Sequence, residues 1–305
     1  MNSLSKSILL PLTVLVLSLT IATPVRAHGG THGELWQRWA WQDLSWLLLI
    51  GGVYALGLRA LWMRAGTGSG ISRGRAAAFG AGMIVLFIAI VSPLDALSEE
   101  LFAAHMVQHL LLILVVAPLF VIGRYTLAVG WAFPVRWNTR IWKDWKWKDI
   151  WSFLTRPMVA FLIHNGAVWL WHMPRFYEAA LANEWLHFLE HASFFLTAFL
   201  FWQVFADLTQ NMPRGRAVGV GLAIFLVFGT MLVSGFLGAL LAFSQYVWFP
   251  SHIHDVAFYG LTALEDQQLA GTIMWVPAGV VYRGLAIGVM GRWLFAMEAL
   301  ENPQA

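Results

Sequence analysis

The chain has 305 residues, of which 59% are hydrophobic and only 11% are charged, and it contains no cysteine. A soluble domain normally carries about a quarter charged residues, so this composition excludes an ordinary water-soluble protein and indicates one that faces lipid. The lack of cysteine excludes disulfides and thiolate metal sites. The formal charge of +3 does not indicate nucleic-acid binding, because the basic residues collect in short loops between apolar runs, as in membrane proteins.

The first 27 residues have the organisation of a secretory signal peptide. MNSLSKS carries one lysine, ILLPLTVLVLSLTIA is apolar, and TPVRA has short side chains at Val25 and Ala27. Cleavage after Ala27 would leave His28 as the first mature residue, and the alternative is an uncleaved membrane anchor. In either case we expect the residues after Ala27 to start outside the cytoplasm.

Seven further apolar runs are each long enough to cross a bilayer of about 30 Å as a helix. We predict spans near residues 42–63, 77–94, 101–123, 157–173, 185–206, 217–242 and 269–293. The expected fold class is therefore all-α, a polytopic membrane bundle of seven transmembrane helices that forms a single domain over residues 28–305.

The loops between these runs divide by charge. Three loops are basic, and their positive residues are Arg64, Arg73, Arg75, Arg124, Arg136, Arg140, Lys143, Lys146, Lys148, Arg156, Arg214 and Arg216. The other loops carry acids and histidines and a single Arg175. Because basic loops remain in the cytoplasm, this pattern predicts that the N-terminus lies outside and the C-terminus inside.

All 10 histidines fall on the predicted outer side or in the outer half of a span. His105 and His109 begin the third span, and His187 and His191 begin the fifth. Residues four apart share a helix face, so each pair can direct two imidazoles toward one point. His172 ends the fourth span at the same level.

Imidazole is a ligand for Cu, Zn, Fe and Ni, so we interpret the two pairs and His172 as a metal site near the outer surface. Carboxylate and thioether groups nearby are candidates for weaker ligands or for acceptors that orient the histidines. These further candidates are His164, Asp95, Met106, Met173 and Asp266, with Glu184 and Glu190 beside the second pair. The alternative role for each histidine is a hydrogen bond between helices, which contributes about 1 kcal/mol or less.

Three long segments occur in order along the chain: SPLDALSEELFAAHMVQHLLLILVVAPLFVIG, HNGAVWLWHMPRFYEAALANEWLHFLEHASFFLTAFLFW and DQQLAGTIMWVPAGVVY. Together they resemble the CtaG-type cytochrome c oxidase assembly family of seven-span bacterial membrane proteins, over most of the chain. The resemblance implies a role in maturing haem–copper oxidases, by supplying or inserting copper. The positions that it matches are Asp95, His105, His109, His164, His172, His187, His191, Asp266 and Gln267.

We therefore expect an assembly factor, not an enzyme, that holds copper at the outer face of the bacterial cytoplasmic membrane. Its expected partners are membrane lipid, a haem–copper oxidase subunit and other copper chaperones. A haem-binding electron carrier is one alternative, in which histidines from two helices ligate one iron from opposite faces. A zinc hydrolase that uses three histidines and Asp95 is another. The third is a scaffold for oxidase subunits with structural histidines.

Overall fold

The computed structural model describes residues 38–133, 145–210, 217–252 and 256–301. These residues are largely helical, and no β-strand occurs among them. The all-α prediction is confirmed for this part of the chain. The predicted signal peptide, with its cleavage site before His28, lies outside the described residues.

The bundle is built from helices that we number in chain order. They are α1 (Leu44–Ala65), α2 (Arg73–Ile90), α3 (Pro93–Glu100), α4 (Phe102–Leu110), α5 (Ala117–Ile122), α6 (Tyr125–Ala132), α7 (Trp145–Leu154), α8 (Pro157–Trp171), α9 (Pro174–Leu181), α10 (Glu184–Gln210), α11 (Ala217–Ala242) and α12 (Ala263–Glu301). A π-helical segment, Leu111–Val116, joins α4 to α5 into one continuous rod. Short 3-10 helices lie at Trp41–Asp43, Pro250–His252 and Val256–Tyr259.

Long apolar helices account for most of the structure. Among the described residues, 6 helical stretches are long and apolar enough to cross a membrane, namely Trp41–Ala65, Arg73–Ile90, Phe102–Ile122, Glu184–Thr209, Gly219–Ala242 and Ala263–Phe295. The predicted fourth span corresponds to α8, whose 15 residues rise only about 22 Å at 1.5 Å each. These helices fit a multi-pass membrane protein.

Glycines allow neighbouring helices to approach closely. A Cβ added to Gly57 on α1 would lie 1.7 Å from the carbonyl oxygen of Ala128 on α6. On α11, a Cβ at Gly238 would lie 2.9 Å from the carbonyl oxygen of Gly271 on α12. Small residues at such crossings let two backbones pack directly, which is a common way for helices to associate in membranes.

The start of α4 is fixed by a residue of another helix. The chain between α3 and α4 is extended at Leu101, so the first backbone N–H groups of α4 need an outside partner. The N–H groups of Phe102 and Ala103 donate to the two carboxylate oxygens of Asp266 on α12, at 2.7 and 3.0 Å. Asp266 therefore sets where α4 begins relative to α12.

One end of the bundle gathers the short elements around these helix starts. Helix α9 packs on α10, and the backbone N–H of Ser251, in the turn after α11, donates to Glu178 of α9. The side chain of Gln267 on α12 accepts from the Trp248 N–H at 2.6 Å and donates to the Tyr246 carbonyl at 3.0 Å. These contacts hold the loops around the first turns of α4 and α10, where the histidine pairs lie.

Candidate metal centre

The two histidine pairs lie face to face between α4 and α10. Within the pairs, ring centroids are 4.2 Å apart for His105 and His109 and 4.3 Å apart for His187 and His191. Across the helices the distances are 5.4 Å for His105 to His187, 5.5 Å for His105 to His191 and 5.1 Å for His109 to His191. The structure thus brings the four predicted imidazoles into one group.

Glu190 adds a carboxylate to this group from α10. Its Oε2 lies 3.7 Å from Nε2 of His105, and its Oε1 lies 3.8 Å from Nε2 of His109. Both distances are too long for hydrogen bonds. We call His105, His109, His187, Glu190 and His191 the His/Glu cluster.

The His/Glu cluster contains two overlapping sets of possible ligands. In the sets His105–His187–His191 and His105–His109–Glu190, one ligand atom from each residue lies within 4.8 Å of the others. The second set is fully buried, whereas His187 and His191 of the first are half-buried. His105 belongs to both sets, so it lies between the partly exposed His187 and His191 and the buried His109 and Glu190.

The donor atoms of the cluster lack hydrogen-bond partners. Among the described residues, the Nε2 atoms of the four histidines and both carboxylate oxygens of Glu190 have no hydrogen-bond partner. Leaving one buried polar atom unpaired costs about 1 to 3 kcal/mol, so such atoms are rare and their concentration in one place requires an explanation. A cation bound among them would use the lone pairs, and this chemistry fits a metal ion with nitrogen and oxygen ligands.

His172 and Met106 form a pair beside the cluster. The ring of His172 lies 6.2 Å from that of His109, outside the two ligand sets. Its Nδ1 is 2.7 Å from the carbonyl oxygen of Val168, and its Nε2 is 3.2 Å from Sδ of Met106. Both predicted candidates are thus near the cluster and engaged with each other.

Two other predicted candidates have hydrogen-bond partners that do not belong to the His/Glu cluster. His164 lies on α8, with its Nδ1 3.2 Å from the hydroxyl oxygen of Thr197 on α10. Asp95 on α3 accepts a hydrogen bond of 2.8 Å from the amide of Gln108. Neither residue contributes to the two ligand sets.

The remaining candidates, Asp266 and Met173, do not contribute to the two ligand sets. Asp266 uses both carboxylate oxygens to cap α4. Met173, at the start of α9, is 48% exposed. Asp266 therefore acts on the cluster through the placement of α4, and Met173 lies at the surface of the bundle.

Gln108 lies between the two histidines of α4 and is not among the residues that the sequence predicts for the site. Its amide also donates to the Ala89 carbonyl at 2.8 Å, which ties α4 to the end of α2. A polar residue three positions after His105 lies on the same side of the helix, so helical spacing could have indicated it.

Tyr177 on α9 packs on the cluster and is likewise not among the sequence-predicted site residues. Its ring centroid is 5.4 Å from that of His105, and the residue is fully buried. Burial, together with the carboxylates of Glu190 and Asp266, raises the pKa of Tyr177 well above its usual value. Tyr177 thus covers the cluster as a neutral phenol, and because it lies on a separate helix no sequence spacing signals its role.

Comparison with known proteins places the chain in a family. The family model for the cytochrome c oxidase caa3 assembly factor matches residues 52–295. Two proteins described as uncharacterized, from Mycobacterium bovis and Mycobacterium tuberculosis, are each 25% identical over 256 residues, which is 81% of this chain. A protein of Mycobacterium leprae, with the same description, is 21% identical over 72% of this chain.

The chain spans 37% of the length of the first two relatives and 34% of the third. No solved structure matches it. The family match extends from the middle of α1 into α12 and includes every residue of the His/Glu cluster. The chain therefore belongs to the caa3-type cytochrome c oxidase assembly factors.

Proposed function

We propose that this protein assists the assembly of a haem–copper oxidase by holding copper in the His/Glu cluster and passing it to an oxidase subunit. Family membership supports the assembly role. One observation carries the metal-binding part: imidazole and carboxylate atoms converge in the interior without hydrogen-bond partners among the described residues. A pure scaffold would have no use for such an arrangement, since it costs stability without holding helices together.

The proposed site lies near the outer face of the bacterial cytoplasmic membrane. His105 and His191 come three and seven residues after the starts of α4 and α10, which corresponds to a depth of about 5 to 11 Å. The basic loops follow the opposite ends of these helices, and such loops remain in the cytoplasm. With α8 as a short fourth span, the proposed topology has seven spans with the N-terminus outside. A partner outside the membrane can then reach the ion without crossing the hydrocarbon.

The geometry favours a bare ion over a haem. A haem ligated from two helices places a flat macrocycle between the histidines. The imidazoles of α4 and α10 are only 5.1 to 5.5 Å apart across the helices. Each histidine also has a second one beside it on its own helix, so a porphyrin would have to push the two pairs apart.

A second candidate function is a zinc-dependent hydrolase, which the set His105–His109–Glu190 favours. Two histidines and one glutamate hold zinc in several metallopeptidases, with a fourth position open to water. Asp95, the carboxylate expected for such a site, is instead bonded to Gln108. Copper is the ion that follows from the assembly role, and metal analysis separates the two candidates.

The test combines metal content with oxidase assembly. We expect the full-length protein, purified in detergent, to contain copper and to restore oxidase activity in a deletion strain. The double variant His105→Ala and His109→Ala loses both properties. His164→Gln serves as a control, because His164 binds Thr197 outside the cluster, and it retains both.

Different outcomes identify different functions. Copper-free protein, together with full restoration of the oxidase by the double variant, would contradict the proposal. Stoichiometric zinc in place of copper, with no effect of the variants on the oxidase, would favour the hydrolase.

A further inference from the structure

In the His172–Met106 pair, two atoms that can only accept hydrogen bonds face each other. The carbonyl oxygen of Val168 can only accept, so the 2.7 Å contact requires the proton of the His172 ring to be on Nδ1. In a neutral imidazole Nε2 then carries a lone pair and no hydrogen. That lone pair faces Sδ of Met106 at 3.2 Å, and a thioether sulfur has no hydrogen to donate either.

Two acceptors in contact are stabilised by a cation between them. The alternative is a doubly protonated imidazole whose Nε2–H donates to the sulfur. That alternative places a positive charge where His172 is only 4% exposed and Met106 1% exposed, and where other imidazoles are close. An imidazolium at this place would have only a weak thioether acceptor for its charge, whereas a soft cation would be ligated directly by both lone pairs, so a shared cation is the better explanation of the contact.

We propose that Nε2 of His172 and Sδ of Met106 form a second metal position, next to the His/Glu cluster, that takes Cu(I). Thioether sulfur is a soft ligand that selects Cu(I), and imidazole accepts the same ion. This inference rests on the proposed metal-holding function and adds to it a separate position and the oxidation state of the copper that occupies it.

The surroundings of the pair suit an ion of low charge. The ring of Phe194 lies 6.0 Å from that of His172 and 4.5 Å from that of His109, which gives the pair an apolar wall. No carboxylate belongs to this pair, in contrast to the cluster with Glu190. A monovalent ion with few ligands costs less to bury in such a place than a divalent one.

His109 connects the two positions. Met106 and His109 are three residues apart on α4, so they share a helix face. His109 also belongs to the ligand set with His105 and Glu190. Copper that is already Cu(I) can move from the cluster to the His172–Met106 pair while His109 remains beside it, and no electron transfer is required.

The experiment measures whether Cu(I) has a sulfur ligand. The full-length protein in detergent is loaded anaerobically with Cu(I) from a bicinchoninate complex, and X-ray absorption at the copper edge reports the neighbouring atoms. We expect a sulfur neighbour in the wild type and in Met173→Leu, whose methionine is exposed, and none in Met106→Leu, which preserves side-chain volume.

Affinities give the second readout. Competition with bicinchoninate should show Cu(I) binding at least about tenfold weaker in Met106→Leu, since even the loss of an indirect partner of a metal ligand has an effect of that size. Zn(II), which needs only the His/Glu cluster, should bind Met106→Leu and wild type equally. Ag(I), a soft ion without redox chemistry, should follow Cu(I).

Two results would overturn the inference. One is a wild-type spectrum with only nitrogen and oxygen around Cu(I), which stands as a test even if Met106→Leu does not fold. The other is equal Cu(I) affinity in a folded Met106→Leu variant, which would leave the pair as a hydrogen bond. Because both readouts use purified protein, they do not depend on whether the His105 and His109 variants affect the oxidase.

Discussion

Buried polar side chains at one end of this bundle fall into two groups that differ in what they contact. In the first group, Asp266 caps α4 and Gln267 binds two backbone groups of the loop after α11. The second group is the His/Glu cluster, whose Nε2 and carboxylate atoms have no such partners among the described residues. The first group holds helices and loops in place, and the second is held in place by them.

The contrast supports the proposal that the bundle preorganises a metal site. The unpaired nitrogen and oxygen atoms of the His/Glu cluster destabilise the metal-free protein, because they are buried without hydrogen bonds. Asp266 and Gln267, the anchors, fix the helices that carry these atoms. In the proposed site, ion binding would then recover the lost free energy at the cluster alone. Substitutions in the two groups should therefore have opposite effects on the stability of the metal-free protein.

The largest effect is expected at Asp266. Replacement by Ala leaves two buried N–H groups of α4 unpaired, and each hydrogen bond to a charged acceptor contributes about 1.5 to 3 kcal/mol. We expect Asp266→Ala to lower the free energy of unfolding by about 3 kcal/mol or more, measured by thermal unfolding in detergent. Leu269→Ala, on an exposed position of the same helix, is the control and should change stability much less. Equal losses in the two variants would show that the cap is not important.

Asp95 belongs to neither group, since it is bonded to Gln108 and contributes to no ligand set. Its effect on stability depends on pH. Burial, with the nearby carboxylates of Glu99 and Asp43, raises its pKa to about 7, although the bond from Gln108 and the charge of Arg38 act in the opposite direction. Above its ordinary pKa and below about 7, the folded state therefore keeps a proton that the unfolded state has lost. Stability falls as pH rises through this window and is constant above it.

The variant Asp95→Asn isolates this contribution, because its amide oxygen still accepts from Gln108. Between pH 5 and pH 7 the wild type should lose about 2 to 3 kcal/mol more than Asp95→Asn, at about 1.4 kcal/mol for each pH unit. Denaturant unfolding at the two pH values measures the difference. Parallel losses in both proteins would mean that Asp95 ionises normally.

Glu190 should behave in the opposite way to Asp266. Glu190→Gln replaces a buried carboxyl group, whose oxygens have no hydrogen-bond partner among the described residues, with an amide of the same shape that can donate to a neighbouring imidazole. The metal-free variant should be as stable as the wild type or more stable, by up to about 2 kcal/mol. Added Zn(II) or Cu(I) should raise the unfolding temperature of the wild type and raise that of the variant less.

The matched control for this variant is Glu178→Gln, which changes a carboxylate bonded to Ser251. Its response to metal should equal that of the wild type. A metal-free Glu190→Gln protein that is clearly less stable than the wild type would place Glu190 among the anchors and remove the contrast.

The helices could be predicted from the sequence because hydrocarbon thickness and apolar run length determine them. The predicted first span, 42–63, agrees with Trp41–Ala65, and the third, 101–123, agrees with Phe102–Ile122. The last helix is longer than its predicted span, 269–293, and covers Ala263–Glu301. Hydropathy identifies only its apolar part, because the helix begins with polar residues, among them Asp266 and Gln267, that are buried by their hydrogen bonds to α4 and to the loop after α11.

The site could be predicted only in part. Spacing by four placed His105 with His109 and His187 with His191, because one helical turn brings such residues together. Which acid joins them depends on how each helix is rotated in the bundle, and the structure places Glu190 there and Asp95 against Gln108. The cap on α4 comes from 164 residues away along the chain, a distance that local patterns do not reach.

The smallest effect is expected from a paired polar residue inside the apolar part of the bundle. Asn165 on α8 donates to the Phe161 carbonyl at 2.9 Å and to the hydroxyl of Thr230 on α11 at 3.0 Å. Hydrogen bonds between membrane helices contribute about 0.6 kcal/mol on average and at most about 1.7, because the unfolded chain in the membrane also finds partners. Asn165→Ala should therefore lower stability by about 1 kcal/mol. This loss is smaller than that expected for Asp266→Ala, because removal of the Asp266 carboxylate leaves two backbone N–H groups unpaired.

Gly166→Ala is the control for the same helix, because an added methyl group at that position meets nothing within 4 Å. It should be neutral or raise stability by up to about 1 kcal/mol through helix propensity. Thermal unfolding in the same detergent compares the three variants. A loss for Asn165→Ala as large as that for Asp266→Ala would mean that anchoring strength depends on burial in the bundle, and not on the charge of the acceptor and the number of backbone groups that it satisfies.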